Sequence, residues 1–418
     1  MSYFHSQIIL EEKCLGTLKC IRACPTQAIR VRNNRITLYD DLCVDCGECI
    51  KACPEKVFIP ITDQLYDFDK FKFKIAIPSR ILYTQFDQSI HPKIIHQALR
   101  KIGFDAVVDI SQESHEIAYI ISDYLKNNKF PKPMISLFCP SLIRLIQVKY
   151  PNLSELISPF EVPRELIAKE AKKKYSKEYG IDMSEIGVIY IIPCPAIAVS
   201  IKQPAEKEKS WIDGAIAIKD IYNMILPEIL RLKETYKPKK KRDFFYYGRG
   251  WGILGSSQQY LDTERCMTVN GMDNVKMVLD DIEDLKLKNI DYIDAFTCTK
   301  GCIGGAFCVE NPYIARHNSY LLEKRFGAPV DFDKDNVLKK YREKYYFSEY
   351  QVYPRTRHID TDLATSIKRA KQKERIYLKL PKKDCGLCGA PNCMTFAQDC
   401  ACGEADLSEC IFFKLKSF

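Results

Sequence analysis

Cysteine spacing constrains this chain more than any other feature. Seven of its 19 cysteines lie within the first 53 residues. Cys43, Cys46, Cys49 and Cys53-Pro54 form an unbroken C-x2-C-x2-C-x3-C-P run, and Cys14, Cys20 and Cys24-Pro25 repeat it with Thr17 where the second cysteine belongs. In the two-cluster version of this pattern, the fourth cysteine of each run ligates the other run's cluster. That arithmetic assigns Cys43, Cys46, Cys49 and Cys24 to a [4Fe–4S] cubane. Cys14, Cys20 and Cys53 are left as a three-cysteine site, for either [3Fe–4S] or a cubane with one iron bound by oxygen. A disulfide framework and zinc are the alternatives, and the spacing disfavours both.

A chain of 418 residues exceeds one ordinary core and predicts several domains. No apolar run approaches the roughly 18 residues a membrane helix needs, so no membrane insertion is expected. The N-terminus lacks the basic and apolar regions of an export signal. A cytoplasmic location follows as the expectation, where thiols stay reduced, and an odd cysteine count also argues against disulfides. Exposed cubanes are oxygen-labile, which points to an anaerobic source. The net charge of +9 is scattered, densest at Lys237 to Arg242 and looser at Lys169 to Lys177 and Lys368 to Lys383. No RNA motif or helix-turn-helix pattern accompanies these runs, so nucleic acid is not an expected partner. Solvated helix faces, linkers or a docking surface for an acidic redox partner account for them.

Texture divides the chain into residues 1–62, 71–367 and 376–418. In the middle region Phe73 to Ile77, Ala106 to Ile110, Pro133 to Phe138, Val188 to Ile192 and Tyr292 to Phe296 read as strands. Pro92 to Ile102 and Glu113 to Lys126 carry helical spacing. Strands alternating with such helices predict an α/β domain with a largely parallel sheet, and in such sheets ligands sit beyond the C-terminal strand ends. Three of the apolar runs end at a cysteine: Phe138 leads to Cys139, Ile192-Pro193 to Cys194, and Phe296-Thr297 to Cys298, with Cys302 following. Four cysteines on strand-end loops are what a cubane built across a sheet edge requires. Singly, each would pass for a buried thiol.

These loops carry a family resemblance. Phe138-Cys139-Pro140-Ser141-Leu142-Ile143-Arg144, Ile192-Pro193-Cys194-Pro195-Ala196 and Thr297 to Gly305 resemble the three active-site loops of [FeFe] hydrogenase large subunits. The first 62 residues resemble a two-cluster bacterial ferredoxin. Glu310 to Arg316 is similar to the sensory, non-catalytic branch of the hydrogenase family. The resemblance implies that Cys139, Cys194, Cys298 and Cys302 hold a cubane and that Cys302 also bridges to a two-iron subcluster. Three departures stand against that subcluster. Phe138 replaces a proton-relaying cysteine, Ile192 a methionine, and Ile197 a lysine that hydrogen-bonds a cyanide on the two irons. Phenylalanine cannot shuttle protons, and isoleucine leaves a buried anion unpaired, which costs several kcal/mol in typical cases. The cubane is therefore expected to survive and the two-iron subcluster to be absent.

In the tail, Cys385, Cys388, Cys393 and Cys410 form a C-x2-C-x4-C-x16-C pattern. It resembles the small four-iron domain of corrinoid iron–sulfur proteins, although four thiolates suit zinc as well. Asn392 to Gly403 reads as the helix between the third and fourth ligands, and Lys368 to Lys383 as a basic linker. Cys266 reads as a packed thiol, Cys308 as a candidate lining of the central pocket, and Cys400 and Cys402 as further thiols of the tail. The six histidines show no paired spacing and read as surface or capping residues. Gly248 to Gly252 reads as a turn near the central cluster. The expected protein is hydrogenase-like, with about four cluster sites, transferring electrons or sensing redox state. Its expected partners are a ferredoxin, a flavoprotein or a signalling protein, with electrons entering through the terminal modules and the central cubane joining them. The alternatives are a divergent hydrogenase that evolves or senses H2, and a redox-responsive regulatory partner.

Overall fold

The computed structural model describes residues 3–33, 35–127, 130–237, 252–253, 261, 263–327, 332–354 and 362–414. The chain forms two compact units, Thr62–Pro354 and a second assembled from Met1–Ile61 with Arg355–Phe418.

The terminal unit begins as two pseudo-equivalent halves. Strand β1 (Gln7–Ile9) pairs antiparallel with β4 (Phe58–Pro60), and β2 (Ile29–Arg32) pairs antiparallel with β3 (Arg35–Leu38). Each cysteine run carries one short helix, Lys19–Ala23 or Glu48–Ala52. Each helix stops at the cysteine before a proline, because proline restricts the preceding residue to extended backbone. Ile21, Ile29, Val31, Ile36, Val57 and Phe58 fill the core between the halves. The tail contributes two longer elements. Residues 368–383, expected as a linker, instead lie mostly in the helix Leu363–Lys379, capped by Asp362. Its Ile376 and Tyr377 pack on the tail core of Leu380, Ala390, Phe396 and Ala397. The second helix, Cys393–Ala401, is capped by Asn392, which accepts from the Thr395 N–H.

The central unit holds two parallel sheets. One has the order β6-β5-β8-β9, from β5 (Phe73–Pro78), β6 (Ala106–Val107), β8 (Ile186–Ile192) and β9 (Gly214–Ala217). The other has the order β10-β11-β7, from β7 (Met134–Ile135), β10 (Cys266–Asn270) and β11 (Tyr292–Phe296). All their pairings are parallel. Every residue of β8 is buried, as expected for a strand covered on both faces.

Two strands are shorter than their apolar runs. β6 ends at Val107 because Asp109 turns the chain, its carboxylate accepting the Ser111 N–H at 2.8 Å as the helix Ser111–Asn127 begins. β7 ends at Ile135 because the Ser136 hydroxyl accepts the Phe138 N–H at 3.2 Å and bends the chain toward Cys139. The basic run Lys237 to Arg242 lies outside the described residues from residue 238 onward.

Candidate metal centres

The two halves of the terminal unit bend their cysteine loops the same way. Gly16 and Leu18 take left-handed backbone (φ 68° and 57°), and Asp45 and Gly47 do so in the second loop (φ 50° and 77°). Leu18 and Gly47 then cap the two short helices. Thr17 thus occupies the register of Cys46, with the loop conformation retained and its side chain exposed.

The thiols group across the repeat. Burial pushes Cys20 up to about 11, and the charges of Cys53 and Cys14 add to it. Burial also raises Cys46, helped by Cys49 and Cys24, and raises Cys49, helped by Cys24. Cys43 rises through burial and the charges of Asp45, Cys49 and Cys46. Cys53 therefore faces the first run and Cys24 the second. The Ala28 N–H donates to Cys24 Sγ at 3.1 Å. Asp45 gathers Tyr3, His5 and Cys43 around it, with His5 Nδ1 at 2.8 Å. His5 is therefore no simple surface group. Nothing in the sequence linked it to a residue 40 positions away. His91, by contrast, caps the helix Pro92–Lys101.

The central four assemble at the ends of strands from both sheets. Cys139 is the N-cap of the helix Pro140–Lys149, and Cys194 that of Pro195–Lys202. Both helices open on the site with their positive ends, which favour negative charge. Cys298 and Cys302 lie on the loop after β11. Burial raises Cys194 well above the usual thiol range, and the charges of Cys298, Cys139 and Cys308 add to this. The Ile197 N–H, bonded to its sulfur, opposes the rise. Burial raises Cys302 likewise, with Cys194, Cys139, Cys298 and Cys308 contributing. Cys308 is thus a fifth thiol at this site, its Sγ 3.5 Å from the Cys302 carbonyl oxygen.

The glycines of the third loop are sterically required. A Cβ at Gly305 would stand 2.3 Å from the Pro193 carbonyl oxygen, and one at Gly304 2.2 Å from that of Thr299. Gly252, the described end of the glycine-rich stretch, lies directly on the ligand. Its carbonyl accepts the Cys302 N–H at 2.8 Å. A Cβ on it would be 3.3 Å from Cys302 Sγ and 3.5 Å from the Phe138 ring. Gly248 to Trp251 lie outside the described residues. Phe138 is itself buried, edge-on to Phe296.

In the tail, Gly386 and Gly389 (both φ 78°) flank Cys388. Burial raises Cys388, with Cys385 and Cys410 contributing charge. Burial also raises Cys393, whose N–H donates to Asp384 at 2.7 Å. Cys400 is pushed up to about 12 by burial and by the charges of Asp399 and Glu409. The Cys402 sulfur accepts from Gln398 at 3.2 Å. Cys266 opens β10 and packs on the central core.

Iron–sulfur clusters fit these donor sets. Buried thiols that raise one another hold their protons unless a cation compensates, and metal coordination deprotonates a thiol outright. Among the described residues no three cysteine sulfurs lie within 4.8 Å of one another. Zinc with Zn–S bonds of about 2.3 Å draws its tetrahedral sulfurs to roughly 4 Å apart, closer than any three cysteine sulfurs among the described residues.

Comparison with known proteins agrees. The family profile of the iron-only hydrogenase large subunit, C-terminal domain, matches residues 74–250 and 234–306, more than half of the chain. The chain belongs to that family. A 4Fe-4S dicluster domain matches residues 6–65, and an Fe–S cluster domain matches residues 380–412. Iron hydrogenase 1 of Clostridium pasteurianum is 24% identical, over 78% of this chain and 69% of that protein. A subunit of the NADP-reducing hydrogenase of Solidesulfovibrio fructosivorans is 22% identical, over 60% of this chain and 51% of that one. The corrinoid/iron-sulfur protein large subunit of Moorella thermoacetica is 54% identical over 35 residues, 8% of each chain. The protein is thus an iron–sulfur protein related to [FeFe] hydrogenase, with electron-transfer domains at both ends. No helix among its described residues is long and apolar enough to cross a membrane.

Proposed function

We propose that this chain is a cytoplasmic electron-transfer or redox-sensing protein that keeps the central cubane and lacks the two-iron subcluster and H2 turnover. One observation carries the reading: the space above Gly252 is narrow, a Cβ there standing 3.3 Å from Cys302 Sγ and 3.5 Å from the Phe138 ring, and this Sγ is the atom from which the family resemblance would extend two further irons. Ile197 supports it. That side chain is 3% exposed and apolar, and its N–H is already committed to Cys194, so an anionic cyanide beside it would lack a donor.

Cys139, Cys194, Cys298 and Cys302 would hold the central cluster, and Cys385, Cys388, Cys393 and Cys410 that of the tail. Cys24, Cys43, Cys46 and Cys49 would hold one cluster of the first region, and Cys14, Cys20 and Cys53 the other. When bound, each cluster supplies a centre for one-electron exchange. The chain's own part is to exclude water, to aim N–H groups at the sulfurs and to set helix N-termini against negative charge, which together tune potential. Residues 1–62, 71–367 and 376–418 are the corresponding modules. A ferredoxin, a flavoprotein or a signalling protein is the fitting partner.

Infrared spectroscopy of anaerobically prepared protein tests the proposal. The expected spectrum has no carbonyl or cyanide stretching bands, with four cluster sites' worth of iron and no H2 evolution. Carbonyl and cyanide bands together with H2 turnover would overturn it.

A further inference from the structure

The sequence reading makes the central cluster the connection between the tail and the first sixty residues. Within the terminal unit, the tail instead docks directly on the ferredoxin-like halves. The contact is specific and dry. Arg30 donates from Nε and Nη2 to the two carboxylate oxygens of Asp399, at 2.6 and 2.9 Å. Arg32 Nη2 donates to the same carboxylate at 2.5 Å. Arg30 is 3% exposed and Asp399 2%. A buried carboxylate between two guanidinium groups is a pairing that neither partner survives alone without an uncompensated charge.

Backbone contacts extend the dock to the ligand loop itself. The Val31 N–H donates to the Gly389 carbonyl at 3.0 Å, adding the loop to the edge of β2. Gly389 sits at φ 78°, and a Cβ there would stand 2.0 Å from the Val31 carbonyl oxygen, so only glycine permits this approach. Arg22 Nη2 donates to the Cys385 carbonyl at 3.1 Å. Ile21 Cδ1 lies 3.3 Å from the Cβ position of Gly386. Thr395 Oγ1 donates to Gln27 at 2.6 Å. Ile21 and Arg22 belong to the helix that contains Cys20 and ends on Cys24. The helix that carries Cys20 and ends on Cys24 thus touches the tail ligand loop directly.

We infer that the Arg30–Asp399–Arg32 cluster is a docking latch that makes the tail site a third member of the ferredoxin-like relay, exchanging electrons with it without passage through the central unit. In the exchange one electron moves, the donor site is oxidised as the acceptor site is reduced, and no atom or proton is transferred. The inference rests on the cluster occupancy proposed above. Arg30, Arg32 and Asp399 are positioning residues in it, since none is a proposed ligand.

The test is electron paramagnetic resonance of the full-length protein, reconstituted and fully reduced, with iron counted in every sample. The double variant Cys388→Ala/Cys410→Ala removes two tail ligands and provides the reference without the tail cluster. The expected result is that wild-type protein shows spin–spin broadening beyond the summed signals of its clusters, and that the double variant loses this part of it. Asp399→Asn should lose the same broadening while the ferredoxin-region signals persist. Arg32→Gln, at the partly exposed edge of the latch, should diminish the broadening and covers the case in which Asp399→Asn fails to fold. Full iron in wild type with a spectrum equal to the sum of its parts would overturn the docking relay alone. So would broadening unchanged in both latch variants. Equal iron in wild type and the double variant Cys388→Ala/Cys410→Ala would remove the tail cluster, and with it both the occupancy and the relay.

Discussion

The first cysteine loop of the terminal unit and the central site have each diverged from a fuller pattern, in opposite ways. In the loop the surroundings are kept and a ligand is gone: Thr17 sits in the register of Cys46 on a backbone bent like its partner's. At the centre all four thiols are present, while Phe138 and Ile197 stand where the family resemblance implies polar groups and Gly252 lies against Cys302. The difference teaches that binding a cluster and using it are separable. A missing ligand alters which cluster form is stable. A changed neighbourhood leaves the cluster's ligands alone and alters what else can bind.

The largest expected effect breaks the central half of this comparison. Ile197→Lys places an ammonium in a buried apolar site, and in cluster-free protein, where no anionic cubane faces it, it should destabilise the protein by about 3–5 kcal/mol, as other uncompensated buried charges do. Denaturant unfolding under anaerobic conditions would measure it. A neutral or stabilising effect would mean that the ammonium reaches water or a carboxylate of the chain, so that the site is not dry.

A smaller effect sharpens the contrast in dryness. Burial raises the Glu113 carboxyl in the central unit to about 8 from its ordinary 4.5. Between those values the folded chain holds a proton that the unfolded chain has released, so stability falls as pH rises. By pH 7 the loss approaches roughly 3 kcal/mol for a shift of this size. Glu113→Gln should flatten the slope between pH 5 and 8, and an unchanged slope would show that this carboxyl is hydrated.

The smallest effect in energy belongs to Thr17, which is exposed. Mild oxidation should convert the three-cysteine site to a three-iron form with its own paramagnetic signal, because the iron without a thiolate leaves first. Thr17→Cys should abolish that signal with stability nearly unchanged. Equal conversion in variant and parent would mean the corner is protected by another group.

The proposed ligands of the first region and the tail could be named from the sequence because their motifs are local: spacing over ten to twenty-five residues is enough to group them. The central four could be named because apolar runs of strand length end at cysteines. Long-range pairing was not legible. Arg30 and Asp399 lie 369 residues apart, and each looks like any charged surface residue until the fold buries both. The helix Leu363–Lys379 was read as a linker because its basic residues outnumber the few apolar ones on its packed side. β9 escaped notice because Gly-Ala-Ile-Ala is too short and small to stand out, and β10 because Cys266 to Asn270 is only partly apolar. Gly252 could have been read as more than a turn only by knowing that Cys302 would pass beneath it.

The contact of Gly389 with Val31 has a consequence for how the molecule is made. The strand edge that receives the tail leaves the ribosome more than 350 residues before the loop that completes it, so the terminal unit closes only after the whole central unit has been made. Until then the central unit is in effect one very long insertion. Its entropic penalty on closure is moderate, since that penalty grows only with the logarithm of length. A prematurely terminated chain could fold its hydrogenase-like unit and still leave the β2 edge bare. The latch therefore marks that synthesis has passed Asp399, and a binder of the uncovered β2 edge would distinguish chains cut short before the tail from chains that carry it.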